Sequence, residues 1–370
     1  MTDADQLISH ARSEMASSRF ASACALLERA AALDPDHPGL LAARAAACRR
    51  DARYAECIAL VAAAGAAAGV QPLYERAMSL AHLGQAEAAL AGFDAVLERD
   101  PNRAAAWFGS FGPALEVAGM DSALARLRRA AACPGANGKY WGVLAATLRL
   151  AGRADEAAAV HARALARHPR RRAMWDGVAA IAADLAPACR LFGLSAPLLR
   201  HALDAATVPG LVLEFGVRRG TSLTHLAEAA GQTVHGFDSF QGLPADWGGE
   251  TAGVLTTGTE LPVVPANARL HPGWFEDSLP DFLADHPGPV RLVNIDSDIH
   301  ASARTVLWRL ADRLVPGSVV VFDEFIGNRT WAADEFRAWS EFTEAFGVRA
   351  TVFALSTATK QVAMAIAHSP

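Results

Sequence analysis

The fold of the C-terminal half is decided by the stretch Leu-Val-Leu-Glu-Phe-Gly-Val-Arg-Arg-Gly, residues 211–220. An apolar run leads into Glu214, Gly216 and Gly220 follow, and a segment with helical periodicity begins at Thr221. This order predicts a buried parallel strand, a glycine turn and the N-terminus of a helix. Backbone amides of such a turn can approach a bound molecule closely, and a carboxylate at the strand end can hold a hydroxyl or an ammonium group.

The glycine turn differs from the dinucleotide fingerprint. That fingerprint, G-x-G-x-x-G, needs a middle glycine where this chain has Arg218. A turn with one acidic residue and two glycines fits S-adenosylmethionine (SAM) better, because SAM has a sulfonium and an amino-acid tail but no pyrophosphate. A plain strand-to-helix connection remains the alternative for the turn taken alone, since single motifs are weak signals.

Strands and helices alternate after the turn. Further strands are predicted at 233–237, 268–271, 290–295 and 317–322, with helices between them, and two more, 348–355 and 361–367, are joined by a short polar turn. This pattern predicts a doubly wound, Rossmann-like α/β sheet closed by a terminal antiparallel hairpin. Such a hairpin is typical of class I methyltransferases and not of nicotinamide-binding domains, so a dehydrogenase is disfavoured.

The first half of the chain repeats with a period near 34 residues. Small residues recur at equivalent turn positions, with separations of 34, 32, 35 and 33: Ser18, Ala52, Gly84, Gly119 and Gly152. Alanines at fixed spacing and prolines at helix ends complete the pattern, which resembles the tetratricopeptide repeat (TPR). We therefore predict a TPR-like α-solenoid over residues 1–172, a helical connector over 173–208 and an α/β domain over 209–370. The solenoid either binds a partner protein or another subunit, or only buttresses the second domain.

Composition narrows the classes of partner and compartment. The 370 residues carry a net charge of −5, and the half after His201 is the more acidic, which argues against nucleic acid as a partner. The five cysteines form no C-x-x-C pair, so neither zinc nor a disulfide framework is indicated. The N-terminus has no signal-peptide pattern, and no apolar run is long enough to span a membrane. We expect a cytoplasmic protein.

Two predicted strand ends carry side chains suited to an adenosine-containing ligand. Asp238 lies 24 residues after Glu214, close to the spacing at which an acidic residue binds a ribose diol. Helix capping by Asp238 or Ser239 is the alternative. After the third strand, Trp274 can stack on a purine, or it can belong to the core. Trp247, in the long loop that follows Asp238, can cover a ligand or anchor the loop.

Four carboxylates follow the next two strands. Asp296 and Asp298 end one strand, and Asp323 and Glu324 end its predicted neighbour. Like charges in one cleft repel unless a cation or protons compensate them. Asp296, Asp323 and Glu324 are oxygen ligands suited to Mg²⁺. Asp298 or His300 then remains as a candidate catalytic base, although some of these residues could instead cap a helix.

Five motifs in order and spacing identify a family resemblance. They are Glu-Phe-Gly-Val-x-x-Gly-x-Ser, Gly-Phe-Asp-Ser-Phe-x-Gly-Leu-Pro, Gly-Trp-Phe-x-x-Ser-Leu-Pro, Ile-Asp-x-Asp and Phe-Asp-Glu-Phe, and they lie within residues 196–368. Together they resemble the macrocin O-methyltransferase family of SAM-dependent enzymes. The resemblance implies methylation of sugar or aromatic hydroxyls on natural products, commonly with magnesium. The chain departs from the family pattern at His300, where tyrosine is usual, and in its fused repeats.

The resemblance also assigns roles to individual residues. It implies that Asp296, Asp323 and Glu324 bind the metal and that Asp298 is the base. It implies a SAM site formed by Glu214, Gly216, Ser222, Asp238, Ser239 and Trp274. From the turn itself we add Gly220 to this site, and from the strand end Asp296.

Two hypotheses follow. The first is a SAM-dependent O-methyltransferase, assisted by magnesium, that methylates a small-molecule, carrier-bound or glycan-bound acceptor. The second is a scaffold whose repeats recruit a partner and whose SAM-binding domain is vestigial; the complete set of carboxylates argues against it.

Overall fold

Helices occupy the first half of the chain and frame a sheet in the second. The computed structural model describes residues 2–368. Ten helices precede residue 161: α1 (Asp3–Ala16), α2 (Phe20–Leu33), α3 (Leu40–Arg50), α4 (Tyr54–Ala64), α5 (Val70–His82), α6 (Ala86–Arg99), α7 (Ala104–Gly109), α8 (Phe111–Ala132), α9 (Lys139–Leu150) and α10 (Ala154–Val160). The later helices are α11 (Ala173–Ala180), α12 (Ser195–Ala205), α13 (Thr221–Ala230), α14 (Phe275–Asp285), α15 (His300–Arg309) and α16 (Glu335–Phe346).

Eight strands form one mixed sheet. They are β1 (Leu185–Leu191), β2 (Leu211–Phe215), β3 (Val234–Asp238), β4 (Ala268–Pro272), β5 (Val290–Ile295), β6 (Val319–Phe322), β7 (Arg349–Leu355) and β8 (Val362–His368). Their order is β1-β7-β8-β6-β5-β2-β3-β4. Only β8 runs antiparallel to its neighbours β6 and β7. The doubly wound sheet and its terminal hairpin, both predicted from the sequence, are confirmed.

The repeat turns have the backbone conformation that the sequence pattern requires. All five equivalent small residues have positive φ, with values of 54° at Ser18, 59° at Ala52, 73° at Gly84, 80° at Gly119 and 74° at Gly152. A Cβ atom strains this left-handed region, and a bulky or branched side chain strains it further, so glycine and small residues are favoured there. The conformation at Gly119 also breaks α8 into two helical pieces, which completes the fourth helical pair.

The prediction of a helical connector over 173–208 is wrong in one segment. Residues 173–180 and 195–205 form α11 and α12, but Leu185–Leu191 forms β1 and pairs in parallel with β7 at the edge of the sheet. The segment Leu-Ala-Pro-Ala-Cys-Arg-Leu has no clear alternation of apolar and polar residues. Its pairing with a strand more than 150 residues away decides its structure.

The sheet packs between two helical layers, and one of them merges with the repeats. Leu198 of α12 and Leu223 of α13 lie in the cluster on one face. The cluster on the other face contains Phe342 of α16 together with Leu124 and Leu144 of the repeats. The two halves therefore share a continuous apolar core. Across residues 2–368, no helix combines the length and apolar character that crossing a bilayer requires.

Candidate active site

A cavity of about 280 Å³ opens at the carboxyl ends of the parallel strands. This is the position at which doubly wound sheets bind ligands. Six of the residues predicted for the site line the cavity: Gly216, Asp238, Ser239, Trp274, Asp296 and Asp298. Adjacent strands bring them together, because β2 pairs with β3 on one side and with β5 on the other.

The glycine turn lets β2 and β5 approach closely at the cavity. Gly216 has φ of +98°, and a Cβ atom there would lie 1.7 Å from the backbone oxygen of Asp296. No other residue fits at this position. Gly220, with φ of +78°, is the N-cap of α13 and does not line the cavity. The turn therefore places Gly216 at the cavity, whereas Gly220 shapes the start of the helix behind it.

Glu214 lies behind the turn and not in the cavity wall. Its side chain is fully buried and accepts hydrogen bonds from Ser222 Oγ at 3.0 Å and from Asn294 Nδ2 at 3.1 Å. Burial raises the pKa of Glu214 to about 8. Neither Glu214 nor Ser222 lines the cavity, so in this structure they connect β2, α13 and β5.

Asp238 is held by the amides of two loops. Its Oδ2 accepts a hydrogen bond from the Arg218 N–H at 2.7 Å, and its Oδ1 accepts one from the Phe240 N–H at 2.7 Å. Burial raises the pKa of this carboxyl group, and the amide hydrogen bonds oppose that rise. No helix begins after β3 before α14, so helix capping does not explain Asp238. A rigidly oriented carboxylate at the cavity wall is suited to a hydroxyl pair.

The tryptophans predicted near the ligand have different positions. Trp274 lines the cavity at the start of α14, next to Phe275. The ring of Phe275 also packs edge-on against Phe215, with centroids 5.2 Å apart. Trp247 lies outside this cavity, and its Nε1 donates a hydrogen bond to Asp334 at 3.1 Å. Trp247 therefore anchors the long loop, which was one of the two interpretations.

The carboxylates that follow β5 and β6 lie close enough to raise one another's pKa. Burial, followed by the charge of Asp323, raises the pKa of Asp296 well above its usual range. Burial, followed by the charges of Glu324 and Asp323, also raises the pKa of Asp298. Asp298 adopts the left-handed conformation, with φ of +61°. Such strain in a non-glycine residue is frequent at functional sites.

The predicted metal ligands are not gathered into a ready ligand set. Within residues 2–368, no group of three or more His, Cys, Asp or Glu side chains is arranged to hold a metal ion. Glu324 instead pairs with Lys360 Nζ at 2.5 Å. Asp323 accepts a hydrogen bond from Gln361 Nε2 at 2.7 Å. The terminal hairpin turn thus supplies partners to two of the three residues.

His300 is not brought into the cavity. It begins α15, and its Nε2 lies 2.8 Å from Glu341 Oε2 of α16. The neighbouring residues Asp298, Ile299 and Ala301 line the cavity, but His300 does not. Of the two base candidates, the structure places only Asp298 at the site.

Three further residues to which the sequence analysis assigned no role in the site help to shape it. Arg218 lines the cavity, and the Asn294 amide bonds to Glu214. Glu335, 1% exposed, accepts a hydrogen bond from the Ser297 N–H at 3.0 Å. A polar Asn294 within an apolar strand was a usable signal. Glu335 starts a helix after a loop, and nothing in its sequence context distinguishes it from an ordinary first-turn acid.

Comparison with known proteins finds similarity to methyltransferases in this part of the chain. Residues 213–325 match a family model described as a methyltransferase domain. A curated relative is 31% identical, over 32% of this chain and 54% of its own length: the 8-demethyl-8-(2,3-dimethoxy-alpha-L-rhamnosyl)-tetracenomycin-C 4'-O-methyltransferase of Streptomyces olivaceus. The chain thus spans about half the length of that relative.

Two solved structures are each similar to part of the chain. The O-methyltransferase NovP is 20% identical with a TM-score of 0.37, and the match covers 47% of this chain and 79% of NovP. A thermophilic TPR protein of Thermus thermophilus is 20% identical with a TM-score of 0.39, and the match covers 45% of this chain and 92% of that protein. On the family match and the sheet that carries it, the C-terminal half of the chain contains a methyltransferase domain, over residues 213–325.

Proposed function

We propose that the protein is a SAM-dependent O-methyltransferase that methylates a hydroxyl group of a sugar, a glycoside or a similar natural product. The observation that carries the proposal is the cavity in which Gly216, Asp238, Trp274 and Asp296 converge. The methyltransferase match of residues 213–325 supports the cofactor. The sugar hydroxyl as acceptor is supported by the curated relative, whose printed name describes a 4'-O-methyltransferase of a rhamnosyl compound.

The cavity residues fit the parts of SAM. Asp238, oriented by two backbone amides, accepts hydrogen bonds from the ribose hydroxyls, and Trp274 offers a face for the adenine. Gly216 lines the cavity and has no side chain, so its backbone can approach the amino-acid tail. Bound SAM supplies a methyl group on a positively charged sulfur.

Asp298 is the proposed base. It lines the cavity beside Asp296 and can accept the proton of an acceptor hydroxyl as the methyl group is transferred. Burial, followed by the charges of the surrounding carboxylates, raises its pKa to about 8, so its deprotonated form is a stronger base than an ordinary carboxylate. The left-handed backbone at Asp298 fixes the direction in which its side chain leaves the strand end.

We also propose that a Mg²⁺ ion, bound at the same carboxylates, assists the reaction. The mutual repulsion of Asp296, Asp298 and Asp323 supports it, because a divalent cation relieves such repulsion. Asp296 and Asp323 would hold the ion, and Glu324 would join them after leaving Lys360. Bound Mg²⁺ would orient the acceptor oxygen and ease loss of its proton.

The proposal also includes a role for the helical repeats and a cellular compartment. The TPR-like pairs support binding of a protein partner or another subunit, and their shared core with the sheet supports a buttressing role as well. We propose that the reaction takes place in the cytoplasm, because all five cysteines are free thiols, as is usual in a reducing compartment.

Calorimetry tests the cofactor. We expect SAM and S-adenosylhomocysteine to bind to the full chain and Asp238→Ala to weaken that binding at least tenfold, since the variant loses a charged hydrogen-bond acceptor. Asp246→Ala is the matched control, because Asp246 lies exposed in the following loop. Absence of SAM binding to the unaltered protein would refute the proposed function.

Chelation tests the metal separately. A chelator should abolish methyl transfer but leave SAM binding largely intact, and added Mg²⁺ should restore transfer. Asp323→Asn should raise the concentration of Mg²⁺ needed for half-maximal rate. Full activity in the presence of a chelator would remove the metal from the proposal and leave the cofactor assignment standing.

A further inference from the structure

A second, larger cleft lies between the helical repeats and the methyltransferase domain. It has a volume of about 940 Å³, and its walls come from α9, the short helical turn Pro169–Arg171, the loop around Trp247 and the loop after β6. Glu324 lines it, and the charge of Glu324 acts on Asp298 of the first cavity. Glu324 therefore lies in the wall of this cleft and within electrostatic reach of Asp298 in the first cavity.

The walls of this cleft carry an excess of positive charge. Five cationic side chains line it against three carboxylates, and the cations come from both halves of the chain: Lys139, Arg170, Arg171, Arg329 and Lys360. The sequence contains only two lysines, and both are in this group. The net charge of the whole chain is −5, so the cleft concentrates positive charge in an acidic protein.

Most of these cations have no counter-charge. Within residues 2–368, the ion pairs include Lys360 with Glu324 but none of Lys139, Arg170, Arg171 or Arg329. Desolvation by the cleft walls, followed by the charge of Lys360, lowers the pKa of Lys139. Like charges held together at a cleft are stabilised by an anion that enters between them.

The same walls carry apolar faces of suitable size for a sugar ring. Trp247 and Trp331 both line the cleft. The Trp247 ring is fixed by its hydrogen bond to Asp334, and Trp331 packs edge-on against Phe336 with centroids 4.8 Å apart. Aromatic faces beside several charged donors are what a glycosyl group joined to an anion requires.

From this geometry we infer that the cleft binds a phosphoryl group carried by the methyl acceptor, as in a sugar phosphate or a nucleoside diphosphate sugar. This inference rests on the proposed function for the role of the ligand as acceptor. Guanidinium groups bind phosphate oxygens in pairs, and lysine adds a point charge. With the phosphoryl group held by both halves, the sugar hydroxyls extend towards Glu324 and Asp298. The repeats thus form part of the acceptor site.

Binding of phosphorylated and neutral probes to the full chain tests the inference. We expect pyrophosphate and glucose 1-phosphate to bind measurably by calorimetry and glucose to bind far more weakly. Arg170→Ala and Arg329→Ala should each weaken glucose 1-phosphate binding about tenfold, the loss expected for one charge-assisted hydrogen bond. Neither arginine is buried, so these variants should fold.

Arg167→Ala is the matched control, since Arg167 is exposed on the same segment but does not line the cleft. Equal weakening by Arg167→Ala, or no binding of either phosphorylated probe, would overturn the inference. If glucuronate binds as tightly as glucose 1-phosphate, the cleft binds anions in general, and the phosphoryl assignment is wrong.

SAM titration in the same samples separates the two proposals. Normal SAM binding without phosphate binding overturns the cleft inference alone. Phosphate binding without SAM binding overturns the proposed function and the acceptor role of the ligand.

Discussion

Replacing Asp51 should weaken SAM binding although Asp51 lies in the second repeat, far from the cavity in sequence. Asp51 follows α3 and is 1% exposed. Its Oδ2 accepts hydrogen bonds from Arg219 at 2.7 Å and from Arg53 at 3.0 Å. Arg218 adds a hydrogen bond to the Arg50 carbonyl at 2.9 Å. The repeats therefore hold the two arginines in the middle of the glycine turn.

The same turn positions Asp238. The backbone N–H of Arg218 donates to Asp238 Oδ2 at 2.7 Å, so a shift of the turn also changes the orientation of that carboxylate. Removing one partner of a fully buried ion pair costs about 3–5 kcal/mol. Here Arg219 and Arg218 are 12% and 25% exposed and keep some hydration. We therefore expect Asp51→Asn to lower the free energy of unfolding by about 2 kcal/mol.

The assay combines urea unfolding with SAM calorimetry at a temperature where the variant is folded. We expect Asp51→Asn to displace the turn and to weaken SAM binding about tenfold, which is a loss of roughly 1.4 kcal/mol of binding free energy. Asp94→Asn is the matched control, because Asp94 pairs with Arg126 on the repeats and is 48% exposed. Asp51→Asn combined with Arg219→Ala should lose less than the sum of the two single changes.

Unchanged SAM affinity in a destabilised Asp51→Asn protein would refute this reasoning. The repeats would then support the sheet without orienting the turn.

Three further predictions concern single positions. Gly216→Ala should lower the free energy of unfolding by about 3 kcal/mol in urea titrations and abolish SAM binding, since its Cβ would meet the Asp296 oxygen; Gly231→Ala, where a Cβ meets nothing within 4 Å, should cost about 1 kcal/mol. Asp298→Asn should reduce kcat about a hundredfold with SAM affinity kept, whereas His300→Ala should change kcat only a few-fold; the reverse order would make His300 the base. Burial, then neighbouring histidines, lowers the pKa of His235 to about 4, so it stays neutral in the fold. The unfolded chain takes up the proton near pH 6.5. The contribution of His235 to the free energy of unfolding is therefore fully present above that pH and is lost as the pH falls towards 4. The loss should reach about 3 kcal/mol at pH 4 in urea unfolding, and a His235→Gln protein that shows the same pH profile would contradict it.

The sequence determined the local elements and the class of each half. Five small residues at a period near 34 predict five turns, and all five have positive φ. The apolar run into Glu214 and the glycine at 216 predict the strand and turn at the cavity. These predictions succeed because periodicity, glycine and proline act through short-range sterics and are visible in a few consecutive residues.

Which polar residues face the cavity depends on contacts that no local pattern contains. The family resemblance implies that Glu214 and Ser222 belong to the SAM site, yet they bond to each other behind the turn. Glu324 fits a metal site by its position after β6, yet it pairs with Lys360 of the terminal hairpin. In each case a partner that lies elsewhere in the fold decides the direction of the side chain.

Only the tertiary structure decided how the two halves work together. In the sequence, Asp51 lies at the end of one repeat helix and Lys139 at the start of another. Neither position shows a local signal for function. Folding places Asp51 against the turn at Arg219 and places Lys139 across a cleft from Lys360. Charge interactions of this kind depend on distance in space and on burial, and both are set by the packing of the repeats on the sheet.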